Sequence, residues 1–334
     1  MAFRVLVSTR FFDQATEQYL REQGCEVVRT GLADDIQDDV LDPARLIELL
    51  EGVDGWIVGT APVTRELLAK HPSIKVIARR GVGHDTVDTV AAKDLGRVVT
   101  IAPGGNEPAV ADHTVAMMLG VAKRLREAHQ ALQAGKWQPL TSGELYQKTV
   151  GLVGFGRIAR AVAKRVAGFD ARIITYDPFP NNAVAAELGV EFLDLDRLLA
   201  ESDYISLHLP LNEKTRHLIG QSAFSRMKST AILVNTSRGG LVDEEALHAA
   251  LVDRRLGGAG IDVFEGEADQ SKRGIAERLV SLPNVIASAH AAGSSEEGLQ
   301  RTNRIAAQAV LAVLRGGDPD KHCIVVDGRG LDKG

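Results

Sequence analysis

The chain has 334 residues, 45% of them hydrophobic and 25% charged, an ordinary globular composition with length enough for two domains that each bury a core. Its net charge of −5 gives no support to a nucleic-acid or membrane-surface partner, and no apolar run approaches the roughly 20 residues of a membrane-spanning helix. Cys25 and Cys323 are too few for a disulfide framework, so a reducing cytoplasm is expected, and no Cys/His cluster has metal-ligand spacing, so no metal is expected.

The chain opens directly as a strand, MAFRVLVSTR, without a signal peptide's layout. Up to residue 102, the strand patterns FRVLVS, EVVRT, GWIVG, KVIARR and RVVTIA alternate with helical patterns at about 13–23, 43–51, 64–70 and 86–95. One long helical segment follows, from Glu107 to Trp137, with no proline after Pro108. Its apolar residues, Met117, Met118 and Leu119 among them, exceed what a solvent-exposed connector needs. A second alternation covers 149–289, with strands TVGLVG, ARIITYD, VEFLD, YISLHLP, AILVNTS, GAGIDVF and NVIASAH. An amphipathic helix then runs from about Glu296 to Leu314 and ends at Gly316-Gly317. Strands alternating with helices predict an α/β fold of doubly wound parallel sheets, with helices on both faces.

The stretch GLVGFGRIAR at 151–160 fits G-x-G-x-x-[GA] through Gly154, Gly156 and Ala159. In a chain with 33 glycines the pattern alone is weak, and its surroundings decide the reading. An apolar strand precedes it, and Ile158, Val162, Ala163 and Val166 follow at helical spacing, with Gly168 near a C-cap. The next strand ends in Asp177, about 20 residues past the glycines, where a carboxylate accepts from ribose hydroxyls. Gly154 permits the turn, Gly156 lets backbone approach a phosphate, and the helix N-terminus offers free N–H groups to the anion.

Open parallel sheets bind ligands at the carboxyl ends of their strands. The polar residues expected there are Asp177, His208, Thr236-Ser237-Arg238, Asp262 and His290, and, from the first half, Arg79-Arg80-Gly81-Val82-Gly83. An arginine, acidic groups and a histidine beside a nicotinamide site point to hydride transfer on a carboxylate-bearing substrate.

The motifs GVGHDTVD (81–88), NEPAVADHTVAMML (106–119), VGLVGFGRIAR (150–160), YDPF (176–179), LHLPLNEKTRHLI (207–219), VNTSRGGLVDEEAL (234–247), GIDVFEGE (260–267) and SAHAAGSS (288–295), in this order, resemble the D-isomer-specific 2-hydroxyacid dehydrogenase family, in its phosphoglycerate dehydrogenase-like branch. The resemblance spans essentially the whole chain. It implies a homodimer whose cofactor domain, a Rossmann fold, is inserted into the substrate domain. The bounds expected are 1–102 with 291–334 for a flavodoxin-like substrate-binding domain, and 103–290 for the NAD-binding domain, which includes the 107–137 helix as the dimerisation element.

By the same resemblance the catalytic residues are Arg238, Glu267 and His290. Arg238 would offer a planar fork of donors to the substrate carboxylate and 2-oxo oxygen. His290 would exchange the proton at that oxygen, and Glu267 would fix the imidazole from its other nitrogen. Glu265 is the competing acid in the same motif. NAD contacts are implied for Gly154, Gly156, Arg157, Ile158, Asp177, His208, Pro210, Thr215, Thr236, Ser237, Arg238, Asp262, His290 and Gly293, with Asp262 facing the carboxamide. Substrate contacts are implied for Arg79, Val82, Gly83, Arg238 and His290. His208 is expected to line the cofactor cleft and is the first alternative proton donor, while His84 and His113 are expected to be structural or cleft-lining.

Ala159, Ala289, Ala268 and Glu107-Pro108 depart from the family pattern, and the latter three weaken any assignment of one particular substrate. The function expected is hydride transfer between NAD(H) and a small D-2-hydroxyacid or 2-oxoacid such as glyoxylate, hydroxypyruvate or a phosphoglycerate-like acid, with no nucleic acid or membrane as partner. The alternative is an NAD-sensing interaction protein resembling the dehydrogenase-like transcriptional corepressors. A formate dehydrogenase is disfavoured, because that enzyme carries glutamine where Glu267 stands.

Overall fold

Short apolar runs without alternation need cover on both faces, and parallel sheets between helices give it. In the computed structural model, which describes residues 2–330, these runs fall into two units. Residues up to Asn106 together with those from Ser294 form one, and Glu107–Gly293 the other. Residue 1 and residues 331–334, at the ends of the expected substrate-binding domain, lie outside the described residues.

The first unit contributes β1 (Phe3–Val7), β2 (Cys25–Arg29), β3 (Gly55–Val58), β4 (Val76–Arg79) and β5 (Val98–Thr100). The second contributes β6 (Thr149–Val153), β7 (Arg172–Tyr176), β8 (Val190–Phe192), β9 (Tyr204–Leu207), β10 (Ile232–Asn235), β11 (Gly258–Ile261) and β12 (Val285–Ala287). The chain then returns to the first unit with β13 (Ile324–Asp327).

In the first unit the six-stranded sheet has the order β13-β5-β4-β3-β1-β2, parallel except where β13 pairs antiparallel with β5. Its core is Val5, Val7, Ile57, Val76 and Ala78 against Ala306, Ala307 and Val310 of the helix Glu296–Leu314 on one face. On the other face Trp56 and Leu6 pack with Leu46, Leu50 and Leu68. The edge strand β13 was not expected, because IVVD is a short run in the Gly-rich stretch after the last helix. It forms because β5 would otherwise end the sheet with unpaired backbone groups.

The seven-stranded sheet of the second unit is wholly parallel, in the order β12-β11-β10-β9-β6-β7-β8. Strand order reverses between β6 and β9, which makes their carboxyl ends the switch point of a dinucleotide-binding sheet.

One expectation is corrected here. The 107–137 segment is not one helix: it forms Glu107–Ala122 and Leu125–Gln133, broken at Arg124, which takes the left-handed conformation (φ 51). The first piece is buried on the sheet, whereas the second buries no residue. The Arg124 guanidinium is tied to Glu127 and to the Thr141 carbonyl, which holds the bend. Gly168 lies next to the C-cap Ala167 of the helix Arg157–Val166, as expected, within a 3-10 turn, Ala167–Phe169, after which Asp170 (φ 52) takes the left-handed conformation.

Candidate active site

After Val153 the chain reverses at Gly154, whose φ of +100 and whose approach to His208 both require glycine: a Cβ there would stand 2.7 Å from the His208 carbonyl oxygen. Gly156 is the N-cap of the helix Arg157–Val166 and lacks a side-chain cap, so that helix's first N–H groups await an acceptor. A Cβ on Gly156 would meet nothing within 4 Å, the clearance a phosphate needs. Ala159 is fully buried, while Arg157 is exposed and Ile158 half-buried at the same helix start. Asp177 braces the turn: Oδ2 accepts the Phe155 N–H (2.7 Å) and Oδ1 the Phe179 N–H (2.8 Å). Its side chain stays partly open, so the remaining lone pairs fit ribose hydroxyls. These features fit a dinucleotide.

Across the switch point, His208 follows β9. Both of its ring nitrogens are buried without a partner, and burial pushes its pKa down to about 3. A ring held neutral by burial is poorly suited to donating a proton. Thr215 pins the next loop, donating to the Pro210 carbonyl (2.7 Å) and accepting from the Asn212 N–H (2.8 Å).

Arg238 leaves the end of β10 on a tightly held turn. Asn235 accepts the Ser237 N–H (3.1 Å) and donates to the Arg238 carbonyl (2.8 Å), and the Ser237 hydroxyl donates to the Leu207 carbonyl (2.7 Å). Thr236 meets Thr114 of the buried helix (Oγ1–Oγ1 3.0 Å), and Arg238 Nη1 donates to the Ser237 carbonyl (2.7 Å). The next residue, Gly239, lies against the backbone of Phe264 and Glu265, where a Cβ would be 2.2 Å from the Phe264 carbonyl carbon. That contact brings the Arg238 turn against the turn Glu265–Glu267.

On that second turn, Glu267 Oε1 accepts the Phe264 N–H (2.7 Å), and Oε2 lies 2.6 Å from His290 Nδ1. Glu265 points elsewhere, 2.8 Å from His217 Nε2 and 3.4 Å from Arg216. His290 has φ 49, a left-handed conformation unusual for a bulky residue, and its N–H donates to the Asp262 carbonyl (2.8 Å). Asp262, expected at the carboxamide, is fully buried: it accepts from the Ser288 hydroxyl (2.5 Å) and the N–H groups of Ala291 (2.7 Å) and Ala292 (3.0 Å). It therefore anchors the His290 loop, and Gly293 closes that loop half-buried. His113 supports the anchor through Ser288 (2.9 Å).

Sequence reasoning did not single out Glu244. This carboxylate is buried at the start of the helix Glu244–Val252, accepts the Glu265 N–H (2.7 Å), and so holds the turn that carries Glu267. Burial pushes its pKa up to about 7, with Glu265 and Glu267 adding in the same direction. Asp243, one residue earlier, is the N-cap of the same helix, its side chain accepting the Ala246 N–H (3.0 Å).

Arg79, Val82 and Gly83 belong to the first unit, at the end of β4. Arg79 Nη1 donates to the Arg80 carbonyl (2.8 Å), Gly81 has φ +132, and the Val82 carbonyl lies 3.2 Å from His84 Nδ1. No group of three or more His, Cys, Asp or Glu among the described residues could hold a metal, and no helix among them is long and apolar enough to cross a membrane.

A doubly wound sheet with an open glycine turn at its switch point, and an Arg turn and a Glu–His pair at neighbouring strand ends, defines a nicotinamide-dinucleotide oxidoreductase. Residues 115–292 match the family model described as D-isomer specific 2-hydroxyacid dehydrogenase, NAD binding domain. The chain is 38% identical to a hydroxypyruvate reductase of Thermotoga maritima over 302 residues, covering 90% of this chain and 94% of that protein. It is 37% identical to a D-3-phosphoglycerate dehydrogenase of Methanocaldococcus jannaschii, covering 94% of this chain but 58% of that protein. Among solved structures, a D-lactate dehydrogenase of Aquifex aeolicus complexed with NAD and lactic acid superposes with a TM-score of 0.83 at 29% identity, covering 96% of this chain and 99% of that one. The protein belongs to the D-isomer-specific 2-hydroxyacid dehydrogenase family. It is an NAD-dependent enzyme that transfers hydride between NAD(H) and a small D-2-hydroxyacid or 2-oxoacid, and not a sensor without chemistry.

Proposed function

We propose that Arg238, Glu267 and His290 carry the reaction and that, in the reducing direction, the substrate is a small 2-oxoacid of the hydroxypyruvate, glyoxylate or phosphoglycerate-like class. The observation that supports this most is the 2.6 Å contact between Glu267 and His290 Nδ1, which leaves Nε2 as the exchangeable nitrogen. NADH, when bound, supplies a hydride to the substrate C2. Arg238 binds the carboxylate and polarises the 2-oxo oxygen with its fork of N–H donors. His290 holds the proton that this oxygen takes up, and in the opposite direction its neutral ring accepts that proton. Glu267 holds the ring in one orientation and tautomer.

The pyrophosphate and ribose contacts are assigned to Gly154, Gly156, Arg157, Ile158 and Asp177. His208, Pro210, Thr215, Thr236, Ser237, Asp262 and Gly293 are assigned to the remainder of the cofactor. Arg79, Val82 and Gly83 are assigned to the substrate, and the unit that contains them is taken as the substrate-binding domain. A cytoplasmic location is part of the proposal, since two cysteines in 334 residues are too few for a disulfide framework.

A homodimer is part of the proposal. Leu125, Leu132 and Trp137 are 57%, 52% and 84% exposed along the helix Leu125–Gln133 and the segment after it, apolar surface that a second copy would cover. Light scattering at micromolar concentration checks it; a monomer mass would contradict it. For the chemistry, the deciding assay is NADH oxidation with glyoxylate, pyruvate, hydroxypyruvate, 3-phosphohydroxypyruvate and bulkier 2-oxoacids. Turnover of a small acid is expected, and failure on all of them would remove the reading.

A further inference from the structure

Glu244, Glu265 and Glu267 gather three carboxyl groups at one turn, and two of them are paired. Glu265 faces His217 (2.8 Å) and Arg216 (3.4 Å), while Glu267 faces His290 (2.6 Å). Glu244 has no such partner. It is 4% exposed, its Oε1 accepts the Glu265 N–H (2.7 Å), and its Oε2 is buried without a hydrogen-bond partner among the described residues. A cavity of about 10 Å³ adjoins it, walled by Leu233, Val242, Leu247 and Ile261 and by Asn235. The aliphatic wall offers Oε2 no donor, so burial there favours the neutral acid over the carboxylate. Glu265 and Glu267 reinforce that preference and Lys272 opposes it, and the pKa is pushed up to about 7.

Asn235 and Glu244 both line this cavity, and each holds one of the two turns of the site. Asn235 spends its amide on the Arg238 turn, through the Ser237 N–H (3.1 Å) and the Arg238 carbonyl (2.8 Å). Glu244 holds the Glu265–Glu267 turn. The two turns meet at one peptide, Phe264–Glu265. Gly239 packs on that peptide so closely that no Cβ would fit, and Glu244 accepts its N–H. Glu267 Oε1 reaches back to the Phe264 N–H (2.7 Å), which sends Oε2 to His290 Nδ1 (2.6 Å). A shift of the peptide therefore moves the Glu267 carboxylate against His290. The aliphatic wall of the cavity offers the Glu265 N–H no substitute acceptor, so loss of Oε1 would leave that N–H buried and unpaired.

We propose that Glu244 is a positioning residue for the reaction: by accepting the Glu265 N–H it fixes the peptide between Gly239 and Glu267, and so the geometry in which Glu267 meets His290. The proposal rests on the reading of Glu267 and His290 as the pair that moves the proton. Glu244 acts through Glu267 and not on the reacting atoms. A supporting acceptor of this kind matters because a general acid must be held close to its productive geometry, and small displacements lower the rate steeply.

The test compares reduction of the best 2-oxoacid, and NADH binding, at pH 6 in wild type, Glu244→Leu, Glu244→Asp, Glu244→Gln and His290→Gln. Leucine fills much the same space without an acceptor, and aspartate keeps the carboxyl but withdraws it by one methylene. Both should lose roughly 10- to 100-fold in kcat, with KM and the NADH dissociation constant within about 3-fold of wild type. Glutamine keeps a neutral acceptor and should hold kcat within about 3-fold. The proton NMR signal of His290 Nδ1–H, identified by its loss in His290→Gln, should lie far downfield in wild type and Glu244→Gln. In Glu244→Leu it should be shifted or lost. Wild-type kcat in the leucine and aspartate variants, a glutamine variant as impaired as leucine, or a signal that leucine leaves unmoved would each overturn the proposal. If the leucine variant does not fold, the aspartate variant carries the same two readouts. Wild-type turnover by His290→Gln would instead remove the assignment of the pair, and the proposal with it. If no 2-oxoacid is reduced at all, the functional reading falls, while the NMR signal still decides whether Glu244 places the ring.

Discussion

Replacing Glu244 with glutamine tests the site's construction through its pH dependence. The carboxyl group's ordinary value of 4.5 applies in the unfolded chain, and burial beside Glu265 and Glu267 pushes it up to about 7 in the folded one. Below 4.5 both states hold the proton, and stability is unaffected. Between 4.5 and 7 only the folded state still binds it, so stability falls with rising pH, and the loss is complete above 7. At 1.36 kcal/mol per tenfold change in proton affinity, the gap is worth about 3 kcal/mol as an upper bound. Glutamine keeps an acceptor for the Glu265 N–H and cannot ionise. Any constant cost of burying its amide is the same at every pH. The difference in stability between E244Q and wild type should therefore shift in favour of E244Q from pH 5 to pH 8, by up to roughly 6–10 °C in Tm at 2–4 °C per kcal/mol. Thermal unfolding followed by circular dichroism at pH 5, 6, 7 and 8 measures it. A difference that stays flat across this range would refute the reasoning.

Gly239→Ala places a Cβ 2.2 Å from the Phe264 carbonyl carbon and must push the Arg238 turn off the Glu265–Glu267 turn. We expect a loss of about 1–3 kcal/mol in stability together with a fall of at least tenfold in kcat/KM, and wild-type values for both would contradict the packing argument. Asp177 would face the 2′-phosphate of NADPH across a short distance, and Pro178, Phe179 and Pro180 after it offer no cation. Asp177→Ser should therefore shift the ratio of kcat/KM for NADPH over NADH upward by about tenfold or more, since it removes that repulsion. An unchanged ratio would show that Asp177 does not set the preference.

Much of the fold was legible because most strands of both sheets are largely apolar runs closed by glycine or polar residues, and periodicity reads such runs well. The unbroken helix over 107–137 failed because its break lies at Arg124, a residue with no local signature of a left-handed conformation. Its cause is the Glu127 and Thr141 contacts, which only the folded chain provides. The edge strand β13 escaped for a similar reason, since four residues become a strand only when β5 presents its free edge. In the site, Glu267 and Glu265 are two residues apart and chemically identical in sequence. Folding separates them, sending one to His290 and the other to His217. Asp262 was visible as a polar residue at a strand end, yet its three bonds to the 288–292 loop depend on the loop's path. Glu244 looked like an ordinary charge beside Asp243 and Glu245, and burial alone sets it apart.

The central claim is that His290, held by Glu267, moves the proton at the substrate oxygen. Its most direct test is single-turnover reduction by His290→Gln with saturating NADH and the best 2-oxoacid found, alongside a fluorescence titration of NADH. The chemical step should slow by roughly 100-fold or more while NADH affinity stays nearly unchanged, as loss of a general acid requires. A step at close to the wild-type rate would contradict the account and place the proton donor on another residue.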